Sequence, residues 1–422
     1  MKRFTPVVVV AAVAVGCAIV GLATTRGRRR MKRVRRIVDG LAQQCGTPTA
    51  KLWLLADAMV GDMHAALSSS DGGKSTLRML HSPHSSLPIG NEEGLFYGMD
   101  FGDTHIRFVR VKLGGKYGRV LDKQSIDIPV PSKLMVGSSQ VGKDVLLELN
   151  EALEKHGVAM RVSTLVNDAV GALVGGRYSS SDTVASVILG MGTNAGYIEN
   201  AYAIPKWQGS LVKAEEMIIN MEWGNFCSSH LPITEFDVCL DAEGPNRDEK
   251  VYEKLVSGMY LGDIVRRVLL KLAKETALLG NIIPPKLMIP FSLRTPDVAS
   301  MHQDTSQDLE LVGEKMKEFG VPDSSLMSRE IVVEVCDIIA RRSARLAAAG
   351  IVGILKKLGR DGTHQRSVVV VDGGLYEHYR LYRDYLHEAV KEMLHGKLSN
   401  NVIIKHDECG IGAALLPATH SM

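Results

Sequence analysis

Asp100-Phe101-Gly102-Asp103-Thr104 brings a carboxylate, a glycine and a hydroxyl into five residues, a set suited to holding the phosphates of a nucleotide. Glycine lets the backbone come close to an anion, the threonine hydroxyl donates to it, and an aspartate such as Asp100 holds a hydrated magnesium ion. Glycine and aspartate are also ordinary hairpin residues, and taken alone the five residues fit plain turn chemistry better. Gly190-Met191-Gly192-Thr193-Asn194 and Asp372-Gly373-Gly374 supply two further glycine turns, so the pattern recurs. Asn167 and Asp168 stand before an apolar helical stretch, where polar residues serve as helix caps unless other residues join them.

The elements that must carry these residues are legible as patterns. Alternating apolar residues make Leu95 to Leu113 and Arg119 to Val130 strands of a meander turning at Gly114-Gly115, with the first turn inside it. Helices are expected over Lys51 to Leu67, Asp144 to Lys155, Asp248 to Leu279 and Arg329 to Leu358, each from apolar positions at helical spacing. Val162 to Val166 reads as a strand feeding a helix from Ala169, and Val184 to Leu189 with Ala195 to Ile198 as a hairpin around the second turn. Met217 to Trp223, Ser367 to Asp372 and Val402 to Lys405 complete the strands, and a short helix over Gly410 to Leu416 is stopped by Pro417.

With 422 residues, 45% hydrophobic and 23% charged, the chain is long enough for two folded domains. Its net charge of +3 hides eight basic residues between Arg26 and Arg36, so the remainder is slightly acidic and carries no general nucleic-acid footprint. Six scattered cysteines without metal spacing argue against a zinc site and a disulfide framework, and no direct protein cage for a metal is expected. Val7 to Ala23 is an uninterrupted apolar run, about 26 Å long as a helix against a bilayer core of about 30 Å. A membrane anchor with a cytoplasmic basic flank is the preferred reading, and a cleaved signal peptide the rival.

Taken together the residues resemble the plant-type hexokinases of the anchored class over most of Gln43 to Ser421. The matching stretches run in order: Leu165-Val166-Asn167-Asp168, Gly190 to Asn194, Ile204-Pro205-Lys206-Trp207, Asn220-Met221-Glu222-Trp223-Gly224, Leu255 to Leu261, Leu293-Arg294-Thr295-Pro296, Ala344 to Gly350, Asp372 to His378 and Gly410 to Leu416. The resemblance implies an α/β fold with the two lobes of the sugar kinases and actin (ribonuclease H-like), binding hexose and magnesium-ATP in a closing cleft. It implies transfer of the ATP γ-phosphate to the 6-hydroxyl of glucose and related hexoses, a step of glycolysis, with Asp168 as general base. Asn167, Asn194, Glu222 and Glu253 would hold sugar hydroxyls. Asp100 and Thr104 would face magnesium and the outer phosphates, Gly192 and Thr193 the phosphates from the other lobe, and Thr295 and Gly374 the adenosine side, with Gly102 and Gly373 also binding magnesium-ATP. The expected division is an anchor over 1–24, a basic flank over 25–40, the large lobe over 41–97 and 168–407, a small lobe over 98–167, and a returning C-terminal helix over 408–422. The outer mitochondrial membrane, facing the cytosol, is the expected location, with another intracellular membrane as alternative and protein partners at that surface.

This sequence also departs from the family pattern. Asp103 stands for a glycine, His105 for asparagine, Ala169 for threonine, Met191 for threonine, Gly196 for cysteine or alanine, Ala299 for serine, and Glu408-Cys409 for Gly-Ser. After Gly137-Ser138-Ser139-Gln140 the family continues through several tens of residues, with an internal small-lobe strand and a sugar-binding loop, whereas Val141 follows here. A skipped exon and a faulty gene model would both give this junction. A carboxylate beside a phosphate is repulsive, so ATP binding is expected to suffer at Asp103. Kinase activity is therefore expected to be weak or lost, and the alternative is a non-catalytic, glucose-sensing or scaffold protein.

Overall fold

The computed structural model describes residues 27–68, 75–82, 87–88, 90–101, 105–115, 120–130, 145–207, 216–362, 365–395, 398–406 and 409–419. The chain forms two compact units. One comprises Met1–Gly46, Pro232–Leu240 and Gly262–Ile339, the other Thr47–Leu231, Asp241–Leu261 and Ala340–Met422. The strands are β1 (Leu80–His81), β2 (Glu93–Phe101), β3 (His105–Gly114), β4 (Val120–Pro129), β5 (Thr183–Leu189), β6 (Thr193–Asn200), β7 (Glu216–Asn220), β8 (Ser367–Asp372) and β9 (Val402–His406).

Among the described residues, all nine strands belong to the second unit. Its larger sheet has the order β1-β7-β6-β5-β8-β9. The pairs β5/β6, β6/β7 and β1/β7 are antiparallel, while β5/β8 and β8/β9 are parallel. The run Thr183 to Leu189 is buried at every position, as expected of a strand covered on both faces rather than one that alternates. The smaller sheet, β2-β3-β4, is antiparallel throughout.

Between the two sheets lies the helix Asp168–Ser179, buried almost all round. Val170, Leu173 and Val174 pack with Val109, Val111 and Leu113 of β3 and with Leu415 and Leu416 of the C-terminal helix. Ala169 and Ala172 pack with Ile188 of β5 and with Val368 and Val370 of β8. Glycines make this approach feasible: a Cβ on Gly412 would lie 1.7 Å from the Gly171 carbonyl oxygen, and one on Gly176 would lie 2.6 Å from Val370. A helix pinned on two sides holds its first residue, Asp168, in a fixed place.

Three expectations require correction. Val162 to Val166 is no strand, since residues 158–167 join no sheet. A strand needs a neighbour for its hydrogen bonds, and none of the described strands pairs with this stretch. The expected helix over Asp248 to Leu279 is broken into Val251–Val256 and Gly258–Thr276 by an extended Ser257. The break is long-range in origin: Gly258 N–H donates to the Gly190 carbonyl at 2.8 Å, an approach that a Cβ at Gly258 would block. Finally, the C-terminal helix does not stop at Pro417 but covers Cys409–Thr419. Proline removes one hydrogen bond and crowds the preceding turn, but buried Leu416 and Ala418 keep the last turn packed.

The smaller sheet buries Val109, Val111 and Leu113 on one face, while Leu95, Tyr97, Phe101, Phe108, Ile126 and Ile128 are exposed on its strands. The helix Val145–Lys155, with Val145, Leu146, Leu149 and Leu153 as its apolar positions, buries no residue.

In the first unit, residues 27–44 form a helix that buries Val34, Val38 and Leu41 at spacings of four and three. The expected basic flank is thus part of a folded unit. Arg33 donates to the Glu275 carbonyl at 3.0 Å, Arg30 donates to that of Ala277, and Arg35 pairs with Glu334 at 2.6 Å. Guanidinium groups here satisfy carbonyls at the C-terminal end of the Gly258–Thr276 helix, where backbone acceptors lack helical partners and the dipole favours cations.

Candidate active site

Asn167 is the N-cap of the Asp168–Ser179 helix, and its Oδ1 accepts from the Ala169 N–H at 3.0 Å. The capping expectation therefore holds, but the cap has other partners. Asn194, near the start of β6, donates through Nδ2 to Asn167 Oδ1 at 2.9 Å and to Asn220 Oδ1 at 2.8 Å. Asn220, the last residue of β7, donates in turn to Glu222 Oε1 at 2.9 Å. Three amides and a carboxylate from three elements thus form one connected row beside Asp168.

Asp168 Oδ1 accepts from the Ala169 N–H at 2.7 Å. Solvent reaches the residue, yet protein crowds it on most sides. That burial, opposed by the Ala169 hydrogen bond and reinforced by the negative charges of Asp100, Asp372 and Glu222, pushes its carboxyl up to about 6. Asp100 at the end of β2 and Asp372 at the end of β8 therefore share a field with Asp168 and Glu222. Asp372 also lies 3.6 Å from Nε2 of His406.

Glu222 is itself held unusually, with φ 54° and ψ 46°, a left-handed conformation costly for a residue other than glycine. Next to it Trp223 is fully buried, edge-on to Tyr252 at 5.6 Å, and Tyr252 donates to the Leu346 carbonyl at 2.7 Å. Gly350 makes room for both rings, since a Cβ there would lie 2.8 Å from each. This aromatic block carries Glu222 on one side and Glu253 on the other. Glu253 sits against Gly224, where a Cβ would approach its Oε2 to 2.7 Å, and it borders Gly192. Lys250 lies 3.4 Å from its Oε2.

The turn Gly190 to Asn194 is fixed from two directions. Gly258 and Met259 donate to the carbonyls of Gly190 and Met191. Gly373, at φ 108°, lies so close to the end of β5 that a Cβ would meet the Leu189 carbonyl at 2.5 Å. Gly374 follows, exposed, at the start of a single helical turn. Thr193 is nearby, but its hydroxyl is committed: it donates to the Ile188 carbonyl at 2.8 Å and accepts from Trp223 Nε1 at 2.9 Å.

The second unit thus brings together Asp168, Asn167, Asn194, Glu222, Glu253, Asp100, Gly192, Thr193, Gly373 and Gly374. Thr295 belongs to the first unit, where it begins a helix and accepts from the Gly262 N–H at 3.1 Å. Gly102 and Thr104, with Asp103, lie outside the described residues. Residues 7–23 do as well, and among the described residues no helix is long and apolar enough to cross a membrane. Sequence reasoning gave no role to Asn220 or Asp372. A signal for Asn220 was present in its spacing, two residues before Glu222 at a strand end.

An α/β unit with a mixed sheet, a pinned helix bearing an aspartate and two converging glycine turns, Gly190 to Asn194 and Asp372 to Gly374, defines the class of the two-lobed sugar kinases. The fold agrees with a solved hexokinase from Schistosoma mansoni complexed with glucose, at a TM-score of 0.78 and 24% identity over 93% of this chain and 99% of that one. A family model described as hexokinase matches residues 184–419, and a second, also hexokinase, matches 37–141 and 138–178. Hexokinase-1 of Spinacia oleracea is 45% identical over 97% of both chains, and Hexokinase-1 of Arabidopsis thaliana 45% identical over 99% of this chain and 98% of its own. The chain belongs to the hexokinase family, and its relatives of this similarity are of plant type.

The comparisons also locate the shortening. The spinach alignment spans 485 positions, whereas 97% of 422 residues is about 409, so about 76 positions have no counterpart here. The second family model breaks into pieces that meet at residues 138–141, the junction read from the sequence.

Proposed function

We propose that this chain transfers the γ-phosphate of ATP to the 6-hydroxyl of glucose or a related hexose, at a rate well below the family's. The observation that carries this reading is Asp168 with its carboxyl raised to about 6, beside the row Asn167, Asn194, Asn220 and Glu222. A general base works best when its pKa lies near the working pH and it stands within reach of the proton it takes. Asp168 accepts the hydroxyl proton, while Asn167, Glu222 and Glu253 orient the other hydroxyls through directed acceptors and donors.

The residues fit magnesium-ATP in part. Asp100, with Asp372 and Glu222 close by, concentrates the negative charge that a hydrated cation neutralises. Magnesium-ATP, when bound, supplies the phosphoryl group and screens its charge. Asp103 disagrees, because a carboxylate in the phosphate turn repels the anion, and the missing sugar loop removes further hexose contacts. These two features support the weakened rate and, as the second reading, a sugar-sensing or scaffold role without catalysis. We place the protein at the cytosolic face of the outer mitochondrial membrane, or another intracellular membrane, through residues 7–23, on the strength of the apolar run and its basic neighbours.

A coupled phosphorylation assay on the full chain with glucose and fructose tests the reading. Slow turnover abolished by Asp168→Asn supports it. Turnover of about 1 to 1,000 per second contradicts the weakening. A native chain indistinguishable from Asp168→Asn contradicts kinase activity and leaves the sensing role.

A further inference from the structure

The row of amides beside Asp168 has a fixed polarity. At one end the Ala169 N–H can only donate, so Asn167 must present Oδ1 toward it. At the other end the Glu222 carboxylate can only accept, so Asn220 must present Nδ2 to it, at 2.9 Å. Asn220 Oδ1 is then turned to Asn194, whose Nδ2 donates to it at 2.8 Å and to Asn167 Oδ1 at 2.9 Å. Asn194 Oδ1 is occupied in turn, accepting from the Ala195 N–H at 2.7 Å. Each amide orientation therefore follows from its neighbours, and Asn220 gives β6 its shorter link to Glu222, which Asn194 Nδ2 also approaches directly at 3.5 Å.

We propose that Asn220 is a positioning residue for hexose binding, one that fixes the Asn194 amide and the left-handed Glu222 carboxylate in the arrangement a sugar's hydroxyls meet. Asn220, buried like Asn194, spends its amide on Asn194 on one side and Glu222 on the other, so it acts through these neighbours. Both functional contacts depend on it: Asn194 loses an acceptor and Glu222 a donor if it is removed. Without Asn220, the Glu222 carboxylate keeps only the longer contact from Asn194 Nδ2, at 3.5 Å, so more orientations open to it in a left-handed backbone turn, and each is lost again on binding. The inference rests on the hexose-kinase reading above.

Two substitutions separate positioning from filling space. Asn220→Ala removes acceptor and donor together, whereas Asn220→Asp keeps the shape and the acceptor but sets a second carboxylate against Glu222. A space-filling residue would tolerate the isosteric aspartate better than alanine. A positioning residue predicts the reverse order. Glucose affinity measured by calorimetry on the full chain is expected to fall at least tenfold in Asn220→Ala and further in Asn220→Asp, with melting temperatures checked in parallel. If the native chain binds glucose and both variants bind within twofold of it, or if Asn220→Asp is the milder change, the Asn220 proposal is overturned. If the native chain binds no glucose, the hexose reading falls and takes the proposal with it. Because either variant could unfold, the native chain supplies a third readout: both Asn194 Nδ2 hydrogens are expected to exchange slowly with solvent by NMR, and fast exchange of either overturns the proposal.

Discussion

Turnover is expected to carry an acid limb set by Asp168, and Asp372→Asn should move it. With a carboxyl at about 6, Asp168 is ionised to about 9% at pH 5 and about 91% at pH 7, so turnover should rise about tenfold between them. At the ordinary value of 3.8 it would already be about 94% ionised at pH 5, and the profile would be flat. Asp372→Asn deletes one of the three neighbouring negative charges that oppose ionisation. The limb should therefore move to lower pH and the pH 7 to pH 5 ratio should shrink. Burial, the largest cause, is untouched, so the limb should stay above 3.8.

Acid unfolding does not mimic this limb through Asp168. A carboxyl whose folded value exceeds its unfolded value binds its proton more tightly when folded. Its stabilising contribution is full below 3.8 and is lost as pH rises through about 6. The assay is turnover at saturating hexose and ATP from pH 5 to 8, with circular dichroism at each pH. A native profile flat to pH 5, or a limb that moves upward in Asp372→Asn, would refute the reasoning.

Three further outcomes follow from other sites. Lys357 and Glu199 form a buried ion pair with side chains 3% and 5% exposed, so Lys357→Met should cost about 3–5 kcal/mol in denaturant unfolding, and Glu199→Gln in the same chain should recover part of it. Asp103→Gly should tighten magnesium-ATP binding, since unit charges about 4 Å apart at an effective dielectric of about 20 repel by about 4 kcal/mol; unchanged affinity by equilibrium dialysis would discard the charge argument. Gly224→Ala places a methyl 2.7 Å from Glu253 Oε2, so glucose affinity should drop at least tenfold as Glu253 is displaced, and calorimetry showing native affinity would remove Glu253 from the sugar site.

Much of this architecture is legible locally. The runs Thr183 to Leu189 and Ser367 to Asp372 are apolar without alternation, and both are buried central strands. Asp168 at a helix start and the glycine turns at Gly190 to Asn194 and Asp372 to Gly374 could be found by residue type, and the convergence of these two turns by the ordered matches. What escaped reading depends on contacts far apart in sequence. The break at Ser257 is set by Gly190, which lies in another turn. Val162 to Val166 has strand composition but no partner, and composition says nothing of partners. Asn220 resembles any polar residue closing a strand until Asn194 and Glu222 are placed on either side of it. The run of arginines read as a flank because charge alone does not reveal that two of them face the carbonyls of a helix about 240 residues away.

Those arginine contacts bear on how the protein is prepared. Trimming the apolar leader is the obvious way to obtain soluble material, and residue 41 looks from the sequence like a natural new start. Such a cut would discard Arg30, Arg33 and Arg35 together with buried Val34 and Val38, exposing the surface they cover and uncapping the end of the Gly258–Thr276 helix. A start at Gly27 keeps that helix whole, and low yield or poor activity from the shorter form would report a missing structural element rather than a defect of the candidate site.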